Sequence, residues 1–198
     1  MEKKKMIFAT GNGGKMREIR MIMEDAGYEI LSMKDAGVQT YIEENGKTYE
    51  ENALIKARAV SEITGELVLA DDSGLEIDYL NKEPGVYSAR YLGEDTPYSV
   101  KNANLLSRLE GVPEEERTAR FVCAIAAVLP DGREITVRAT VEGRIGYEER
   151  GQNGFGYDPI FYLAETGKST AELTEEEKNL ISHRGKALRL MKEELRER

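Results

Sequence analysis

A glycine-rich turn near the start of the chain joins a short apolar run to a helical pattern. The turn is Thr10-Gly11-Asn12-Gly13-Gly14, and Lys15 opens the helical pattern that follows it. A helix N-terminus presents backbone N–H groups and a positive dipole end to an anion, and Lys15 would add a full charge. Thr10 and Asn12 offer further hydrogen bonds. The turn is therefore a candidate phosphate site, although an ordinary strand-to-helix turn with a surface lysine has the same composition.

Two familiar glycine-rich loops do not fit this segment. The spacing is too short for a Walker A loop, and Met16 stands where that loop needs Ser or Thr. Met16 also takes the place of the third glycine in the dinucleotide fingerprint G-x-G-x-x-G. The turn therefore matches neither the phosphate loop of a P-loop kinase nor that of a dehydrogenase.

Two adjacent carboxylates, Asp71 and Asp72, follow the apolar run at residues 67–70 and precede Ser73 and Gly74. Ligands of open α/β sheets bind beyond the carboxyl ends of strands, which is where this pattern places the two acids. Adjacent acids could hold Mg²⁺, and one of them could accept the proton of an attacking water. The alternative is a solvated turn, because Asp, Ser and Gly all favour turns.

A second acidic pair, Glu43-Glu44, lies in a polar loop before a capped helix. Alone it is a surface charge pair, but together with Asp72 it would complete a carboxylate site for a hard cation. Lys56 lies one turn after Asn52 on the following helix. It is a solvated lysine unless its face of that helix points toward the site.

The segment Phe155-Gly156-Tyr157-Asp158 follows other glycines in a long loop. Phe155 could stack on a nucleotide base, which is worth roughly 1–3 kcal/mol, and Asp158 could accept from a base N–H. The alternative is a hydrophobic staple within the loop. The chain's one histidine, His183, is followed by Arg184, and the two could donate hydrogen bonds to base oxygens. A lone histidine is also commonly structural.

The elements that must position these residues alternate along the chain. Strands are predicted at residues 6–9, 28–33 and 67–70, with a hairpin at 120–129 and 134–143 around Pro130-Asp131-Gly132. Helical patterns end at Gly27, run from the Thr48/Glu51 capping box to Gly65, run from Thr96 to Leu109, and start at Thr174 and at Ser182. This order predicts an α/β protein in which an antiparallel hairpin is inserted into a mixed sheet.

The composition narrows the classes of partner. A formal net charge of −9 argues against a broad electrostatic grip on a nucleic acid polymer. No segment approaches the roughly 20 apolar residues of a membrane span, and the apolar run after the lysines at positions 3–5 is too short for an export signal. The single cysteine, Cys123, lies in an apolar run and is expected to be a small buried hydrophobe. The cytoplasm is the expected location.

In combination these segments closely resemble the inosine triphosphate pyrophosphatase family, over nearly the whole chain. The matching motifs are Ala9-Thr10-Gly11-Asn12 with Lys15 and Glu18, Glu51-Asn52-Ala53 with Lys56-Ala57, Ala70-Asp71-Asp72-Ser73-Gly74-Leu75, Pro84-Gly85-Val86-Tyr87-Ser88-Ala89-Arg90, Gly154-Phe155-Gly156-Tyr157-Asp158-Pro159, Ala171-Glu172-Leu173 and Ser182-His183-Arg184. The resemblance implies one domain over residues 1–198, with an elongated central mixed sheet, flanking helices and two lobes around a substrate cleft. It also implies a homodimer.

The activity that the resemblance implies is Mg²⁺-dependent hydrolysis of dITP, ITP and XTP or dXTP between the α- and β-phosphates. Carried over by motif, the turn at residues 10–14 and Lys15 hold phosphates, with help from Lys56. Glu44 and Asp72 serve the metal, and Asp72 also accepts the proton, while the choice of Glu44 over Glu43 stays open. Ser73 contacts the substrate. The base pocket is formed by Phe155, Gly156, Tyr157, Asp158, Lys178, His183 and Arg184.

Base selection can be argued from hydrogen bonding. Donors from His183 and Arg184 aimed at a 6-oxo group would meet the amino group of adenine donor to donor. Guanine carries the same 6-oxo group, so its rejection must arise around C2. Two rival functions remain: a pyrophosphatase for modified pyrimidine nucleotides, as in the related Maf-like proteins, and a nucleotide-binding regulator that no longer cuts.

Overall fold

A computed structural model describes residues 4–196, and its centre is a six-stranded mixed sheet. The strands are β1 (Lys4–Phe8), β2 (Tyr28–Ser32), β3 (Leu67–Ile77), β4 (Thr118–Val128), β5 (Glu134–Ile145) and β6 (Phe161–Leu163). They lie in the order β2-β1-β3-β4-β5-β6. Strand β1 pairs in parallel with β2 and with β3, and β5 pairs antiparallel with β6. The predicted α/β class and mixed sheet are confirmed.

Five α-helices lie along residues 4–196, and capping residues set most of their ends. They are α1 (Gly13–Met23), α2 (Tyr49–Thr64), α3 (Tyr98–Arg108), α4 (Glu175–Ile181) and α5 (His183–Arg196). The Thr174 capping box of α4 is present as predicted. At α2 the prediction is half right: Thr48 accepts from the Glu51 N–H, but the Glu51 carboxylate accepts from the Lys47 N–H at 2.6 Å. Gly65 ends α2 with a left-handed φ of 68°.

Strand β3 is longer than the sequence predicts, and this changes the setting of the two acids. The predicted strand stops at Ala70, whereas β3 continues to Ile77 through Asp71, Asp72 and Ser73. Its parallel pairing with β1 ends at Leu69. The prediction that the acids occupy the carboxyl end of a strand, or a turn, was therefore wrong, because burial on the continuing strand overrides the turn preference of these residues.

The chain divides into two compact units. Unit 1 takes in described residues 4–72, 123–139 and 184–196, and unit 2 is Ser73–Val122 with Thr140–His183. Unit 2 has one core, to which β3, β4, β5 and β6 each contribute two buried side chains. The expectation of a single domain with a substrate cleft stays a prediction.

Unit 1 has a separate core on each face of β3. Leu67 and Leu69 pack with residues of α1 and α5, whereas Val68 and Ala70 pack with residues of α2. Successive strand residues face opposite sides of a sheet. This alternation places the next residue, Asp71, on the α1/α5 face and Asp72 on the α2 face.

The basic start of the chain falls partly outside the description. Residues 1–3 lie outside the described residues, and Lys4 and Lys5 open β1. Within residues 4–196, no helix combines the length and apolar character that crossing a membrane requires.

Candidate active site

The turn after β1 is organised by its own side chains. The Asn12 Oδ1 atom accepts from the N–H groups of Gly14 at 2.9 Å and Lys15 at 3.1 Å, and so caps α1. The Thr10 hydroxyl oxygen accepts from the Asn12 N–H at 3.1 Å. A side chain on Gly11 would meet nothing within 4 Å, and the same holds for Gly13. The turn is therefore preformed and open on its outer side, as an anion site requires.

The α1/α5 face carries a buried network of alternating charge. Lys15 Nζ lies 3.0 Å from Asp71 Oδ2, and Arg184 Nε lies 3.2 Å from the same oxygen. Arg184 Nη1 reaches Glu18 Oε2 at 2.8 Å. The Asp71 side chain is fully buried, and that of Arg184 is 2% exposed. Each charge has an opposite partner, as burial demands.

This network fixes Asp71 as an anion. Burial by itself would raise the pKa of Asp71, but the positive charges of Lys15, Arg184 and Lys56 outweigh it and hold that pKa well below its usual range. A carboxylate in this state does not take up a proton near neutral pH. Asp71 is therefore suited to anchoring cations, and it is a poor candidate for the proton acceptor.

The α2 face holds Asp72 through a different partner. The Asn52 Nδ2 group donates to Asp72 Oδ2 at 3.1 Å, and Asn52 Oδ1 accepts from the Gly46 N–H at 2.8 Å. A Cβ atom at Gly46 would lie 2.6 Å from Asn52 Oδ1 and 3.0 Å from the Asn52 backbone nitrogen. The close approach therefore requires glycine at position 46, and Asn52 is held in one orientation.

Lys56 lies on the same face as Asp72. Its Nζ atom is 2.9 Å from Glu44 Oε1 and donates to the backbone carbonyl of Asp71 at 2.5 Å. Glu43 is exposed, so the geometry favours Glu44 as the member of the acidic pair that belongs to the site. Burial would lower the pKa of Lys56. The charges of Asp71, Glu44 and Asp72 outweigh this effect and raise that pKa above its usual value.

Asp72 is the carboxylate whose protonation is poised near neutrality. Partial burial raises the pKa of Asp72 to about 6, with a further contribution from Glu44 and Asp71. The Lys56 charge and the Asn52 hydrogen bond oppose this shift. A general base works best when its pKa lies near the operating pH. Asp72 meets this condition, and Asp71 does not.

Glu44 and Asp72 suit a hard cation that keeps several waters. Both acids lie near Lys56, and both offer the oxygen ligands that Mg²⁺ prefers. Among residues 4–196, no group of three or more His, Cys, Asp or Glu side chains is placed to hold a metal ion. The donor set therefore fits an ion completed by water and phosphate rather than an all-protein cage. The idea that Asp71 and Asp72 bind one ion together was wrong, because they lie on opposite faces of β3.

In unit 2, Asp158 anchors the predicted base-binding segment. Its Oδ2 atom accepts from Lys178 Nζ at 2.5 Å and from the Phe155 N–H at 2.9 Å. Its Oδ1 atom accepts from the Thr170 hydroxyl at 2.8 Å. Asp158 is 2% exposed, so it holds neighbouring groups in place, and its predicted contact with a base stays a prediction.

Lys178 and Phe155 form a cation–π pair beside this carboxylate. The Nζ atom of Lys178 lies 4.4 Å from the centroid of the Phe155 ring, and that residue is 41% exposed. The contact is within the range of a cation–π attraction. Phe155 therefore presents an accessible ring, while Asp158 holds its backbone N–H and Lys178 contacts the ring.

His183 borders a recess in unit 2. Its ring stacks on Phe121, with 4.9 Å between centroids and 19° between planes. The residues that line the recess are Phe121, Val141, Asp158, Thr170, Lys178, Ile181, Ser182 and His183. The structure thus gathers three of the predicted base-pocket residues, Asp158, Lys178 and His183, around one recess.

Tyr157 anchors the loop that carries Phe155 and Gly156. Its hydroxyl donates to the Ser88 carbonyl at 2.5 Å, and its ring meets Tyr98 edge to face at 5.1 Å. Burial raises the pKa of the Tyr157 hydroxyl above its usual value. Gly156 has a left-handed φ of 65°, which a side chain rarely adopts. Tyr157 and Gly156 therefore shape the loop, and their predicted substrate contacts stay predictions.

Two predicted residues occupy other settings. Arg184 is expected in the base pocket, whereas its guanidinium lies buried in unit 1 between Asp71 and Glu18. Ser73 is half-buried within β3. In the geometry described, Arg184 belongs to the carboxylate network, and its contact with a base stays a prediction.

Several residues of these clusters received no role from the sequence. Asn52 and Glu18 lie in the family motifs, so their identity was visible but their partners were not. Phe121 reads only as part of an apolar strand, and Thr170 follows no motif rule. Their contribution depends on contacts between segments far apart in the chain, which a single sequence does not reveal.

These features define an α/β protein with a preformed anion turn, a carboxylate–lysine cluster and an aromatic recess. The sequence profile described as the Ham1 family matches residues 6–194. The chain belongs to the Ham1 family.

Two dITP/XTP pyrophosphatases align with almost the whole chain. The dITP/XTP pyrophosphatase of Bacillus licheniformis is 50% identical over 186 residues, which cover 94% of this chain and 95% of that protein. The dITP/XTP pyrophosphatase of Bacillus subtilis is also 50% identical over 186 residues, and 94% of each chain is covered. The resemblance predicted from the motifs is confirmed.

Solved structures agree with the fold. The Ham1 protein of Coxiella burnetii has a TM-score of 0.89 and 39% identity, with 98% of this chain and 100% of that chain covered. The Ham1 protein of Staphylococcus aureus has a TM-score of 0.88 and 39% identity, with 98% of each chain covered. The arrangement of strands and helices is therefore that of the family.

Proposed function

We propose that this chain hydrolyses non-standard purine nucleoside triphosphates (dITP, ITP, and XTP or dXTP) to the monophosphate and pyrophosphate, and so removes them from the nucleotide pool. The observation that carries the proposal is the 50% identity to dITP/XTP pyrophosphatases over 94% of the chain. The chain is thus an enzyme, a hydrolase of phosphoanhydride bonds. The carboxylate–lysine cluster on the α2 face supports cutting rather than binding alone.

We assign the phosphate contacts to residues 10–15 and to Lys56. The turn at residues 10–14 offers its open outer side, and Lys15 neutralises phosphate charge from its anchor on Asp71. Lys56 supplies a second cation on the α2 face. Phosphoryl transfer needs mainly positioning and charge neutralisation, so these groups and one base suffice.

Asp72 accepts the proton of the water that attacks the α-phosphorus. With a pKa raised to about 6, Asp72 is mostly ionised at neutral pH and still basic enough to take a proton. Asn52 holds the carboxylate by one oxygen, Oδ2. Pyrophosphate leaves from the side of the cations.

Glu44 and Asp72 are the residues that would hold Mg²⁺. When bound, the ion would supply charge neutralisation at the phosphate oxygens. The fit rests on the two oxygen-donor carboxylates beside Lys56, one of which is held by Asn52.

We assign the base contacts to Phe155, Lys178 and His183. Phe155 offers a ring for stacking, and Lys178 and His183 offer donors at the recess that both residues line. A 6-oxo purine presents an acceptor to such donors, whereas adenine presents an amino group. We further propose a homodimer that works in the cytoplasm, where nucleotide pools lie, and light scattering of the purified chain tests the dimer.

Pyrophosphate release from dITP, XTP, dATP and dGTP in the presence of Mg²⁺ tests the proposal. We expect rapid release from dITP and XTP and slow release from dATP and dGTP. Equal turnover of all four would remove the selectivity, and preference for a methylated UTP would point instead to the pyrimidine-directed activity of Maf-like proteins.

A further inference from the structure

Thr170 lies beside the Asp158–Lys178 pair and lines the same recess. Its hydroxyl donates to Asp158 Oδ1 at 2.8 Å, while Lys178 Nζ donates to Oδ2 at 2.5 Å. Each carboxylate oxygen therefore has its own side-chain donor. Thr170 is 4% exposed, so water does not readily replace its hydroxyl in this contact.

The backbone around Thr170 is held firmly on both sides. Ser169 donates its N–H to Glu172 Oε2 at 2.8 Å and its hydroxyl to the Arg150 carbonyl at 2.6 Å. On the other side, the Ala171 carbonyl accepts from the Asn153 N–H at 2.9 Å. Since its neighbours are fixed, the Thr170 hydroxyl stays beside Asp158, where Oδ1 at 2.8 Å is the nearer acceptor and the backbone carbonyl of Asp158 at 3.2 Å is the second.

The second carboxylate oxygen needs this partner because the terminal torsion of an aspartate is soft. The rotation of a carboxylate about its last bond has a broad, roughly two-fold profile. The other two donors, Lys178 Nζ and the Phe155 N–H, both bind Oδ2, so Thr170 supplies the donor that holds Oδ1. Lys178 Nζ follows Oδ2, and it also lies 4.4 Å from the Phe155 ring centroid. A rotated Asp158 would therefore shift the ammonium relative to the ring.

The position of Lys178 matters because an ammonium group has three donors and no acceptor. Asp158 takes one of these N–H groups, and an acceptor in the recess would take another. A 6-oxo purine offers such an acceptor, and a 6-aminopurine offers a donor in its place. A displaced ammonium group loses its hydrogen bond to the 6-oxo group and gains none with the 6-amino group.

We propose that Thr170 is a positioning residue for base selection: its hydroxyl fixes Asp158 and, through it, Lys178, so that the preference for 6-oxo over 6-amino purine nucleotides depends on it. The proposal rests on the proposed function of the chain. It assigns Thr170 no contact with the reacting phosphates.

The test compares binding of non-hydrolysable α,β-methylene analogues of ITP and ATP by calorimetry. Thr170→Val keeps the branched shape and removes the hydroxyl, Thr170→Ala is a second hydroxyl-free variant, and Thr170→Ser keeps the hydroxyl. Thr166→Val is the matched control, because Thr166 is exposed and does not line the recess. Thermal melting checks that each variant is folded.

We expect the Kd for the ATP analogue divided by the Kd for the ITP analogue to fall about tenfold in Thr170→Val and Thr170→Ala. A change of this size is typical of the loss of a hydrogen bond to a charged group. Thr170→Ser and Thr166→Val keep the ratio of the unmodified chain. If Thr170 had only a structural role, its loss would weaken the binding of both analogues alike and leave the ratio unchanged. That result would overturn the proposal.

The readout needs no turnover, so it separates this proposal from the proposed function. A chain that prefers the ITP analogue but releases no pyrophosphate from ITP contradicts the hydrolytic function, while the ratios still decide the role of Thr170. A chain that binds both analogues equally before any substitution contradicts the role of Thr170 directly.

Discussion

Asp71 and Asp72 are neighbours in the chain, yet they lie in two regions with different chemistry. Asp71 faces α1 and α5, where Lys15 and Arg184 hold it as a permanent anion. Asp72 faces α2, where Asn52 holds one oxygen and the pKa is raised to about 6. The difference arises because a strand turns successive side chains to opposite faces. Adjacent acids in a sequence therefore need not form one site.

The two faces of β3 have different roles. The α1/α5 face positions a cation at the anion turn through a buried carboxylate, whereas the α2 face keeps a carboxylate able to exchange a proton. Substitutions on the two faces should consequently have different effects, the first mainly on stability and the second mainly on turnover.

Asp71→Asn should have the largest effect on stability. The neutral side chain leaves Lys15 and Arg184 without their shared anion in a buried setting, which typically costs about 3–5 kcal/mol. Urea unfolding at pH 7, followed by circular dichroism, measures the loss. Asp72→Asn should lose less than about 1 kcal/mol in the same experiment, because its side chain is only partly buried. Equal losses for the two variants would break the comparison.

Asp72→Asn should have the largest effect on turnover among folded variants. An amide cannot accept the proton of the attacking water, so release of pyrophosphate from dITP should fall at least about 10²-fold. Asp95→Asn is the matched control, since Asp95 is exposed. Retained activity in Asp72→Asn would remove Asp72 from the role of proton acceptor.

Asn52→Ala should have an intermediate effect, and it tests how Asp72 is positioned on the α2 face. The substitution removes the hydrogen bond to Asp72 Oδ2, and the loss of a hydrogen bond to a charged group corresponds to about tenfold in turnover. Steady-state kinetics with dITP measure this change. The control Asn45→Ala alters an exposed asparagine of the preceding loop and should keep full activity. An unchanged rate in Asn52→Ala would mean that Asp72 is positioned without it.

Asp78 directly follows the last residue of β3, and it gives the smallest expected effect. Arg120 donates to both of its oxygens at 3.0 Å, and this pairing holds the pKa of Asp78 well below its usual range. A lowered pKa stabilises the folded state above the unfolded pKa of about 3.9, and this contribution is lost as pH falls toward the folded value.

Asp78→Asn should therefore lower the free energy of unfolding at pH 7 by about 1 kcal/mol, as expected for a partly exposed charge network. Its stability should also depend less steeply on pH between about 5 and 2 than that of the unmodified chain. Urea unfolding across this range checks both points. An unchanged acid profile would show that the Arg120 pairing adds nothing to folding.

Much of the fold follows from local sequence rules. The hairpin around Asp131-Gly132, the Thr174 capping box and the Gly65 helix end depend on nearby residues, and each was predictable. The length of β3 was not. Asp71, Asp72, Ser73 and Gly74 all favour turns, and their place within a strand is imposed by packing with distant segments.

The family motifs predict members of the site, such as Lys15, Lys56, Asp72 and His183, and these roles stay predictions. The motifs carry no information on which face of a strand each side chain occupies. The burial of Arg184 with Glu18 joins residues 166 positions apart. The same limit hid Phe121 and Thr170, whose role depends on the folded recess.

Hydrolysis of dITP in ¹⁸O-labelled water, with mass analysis of both products, tests which phosphorus atom the water attacks. If water attacks the α-phosphorus, the products are dIMP and pyrophosphate, and the label enters dIMP alone. Label in pyrophosphate would place the attack at the β-phosphorus, and release of dIDP with inorganic phosphate would contradict the proposed activity itself.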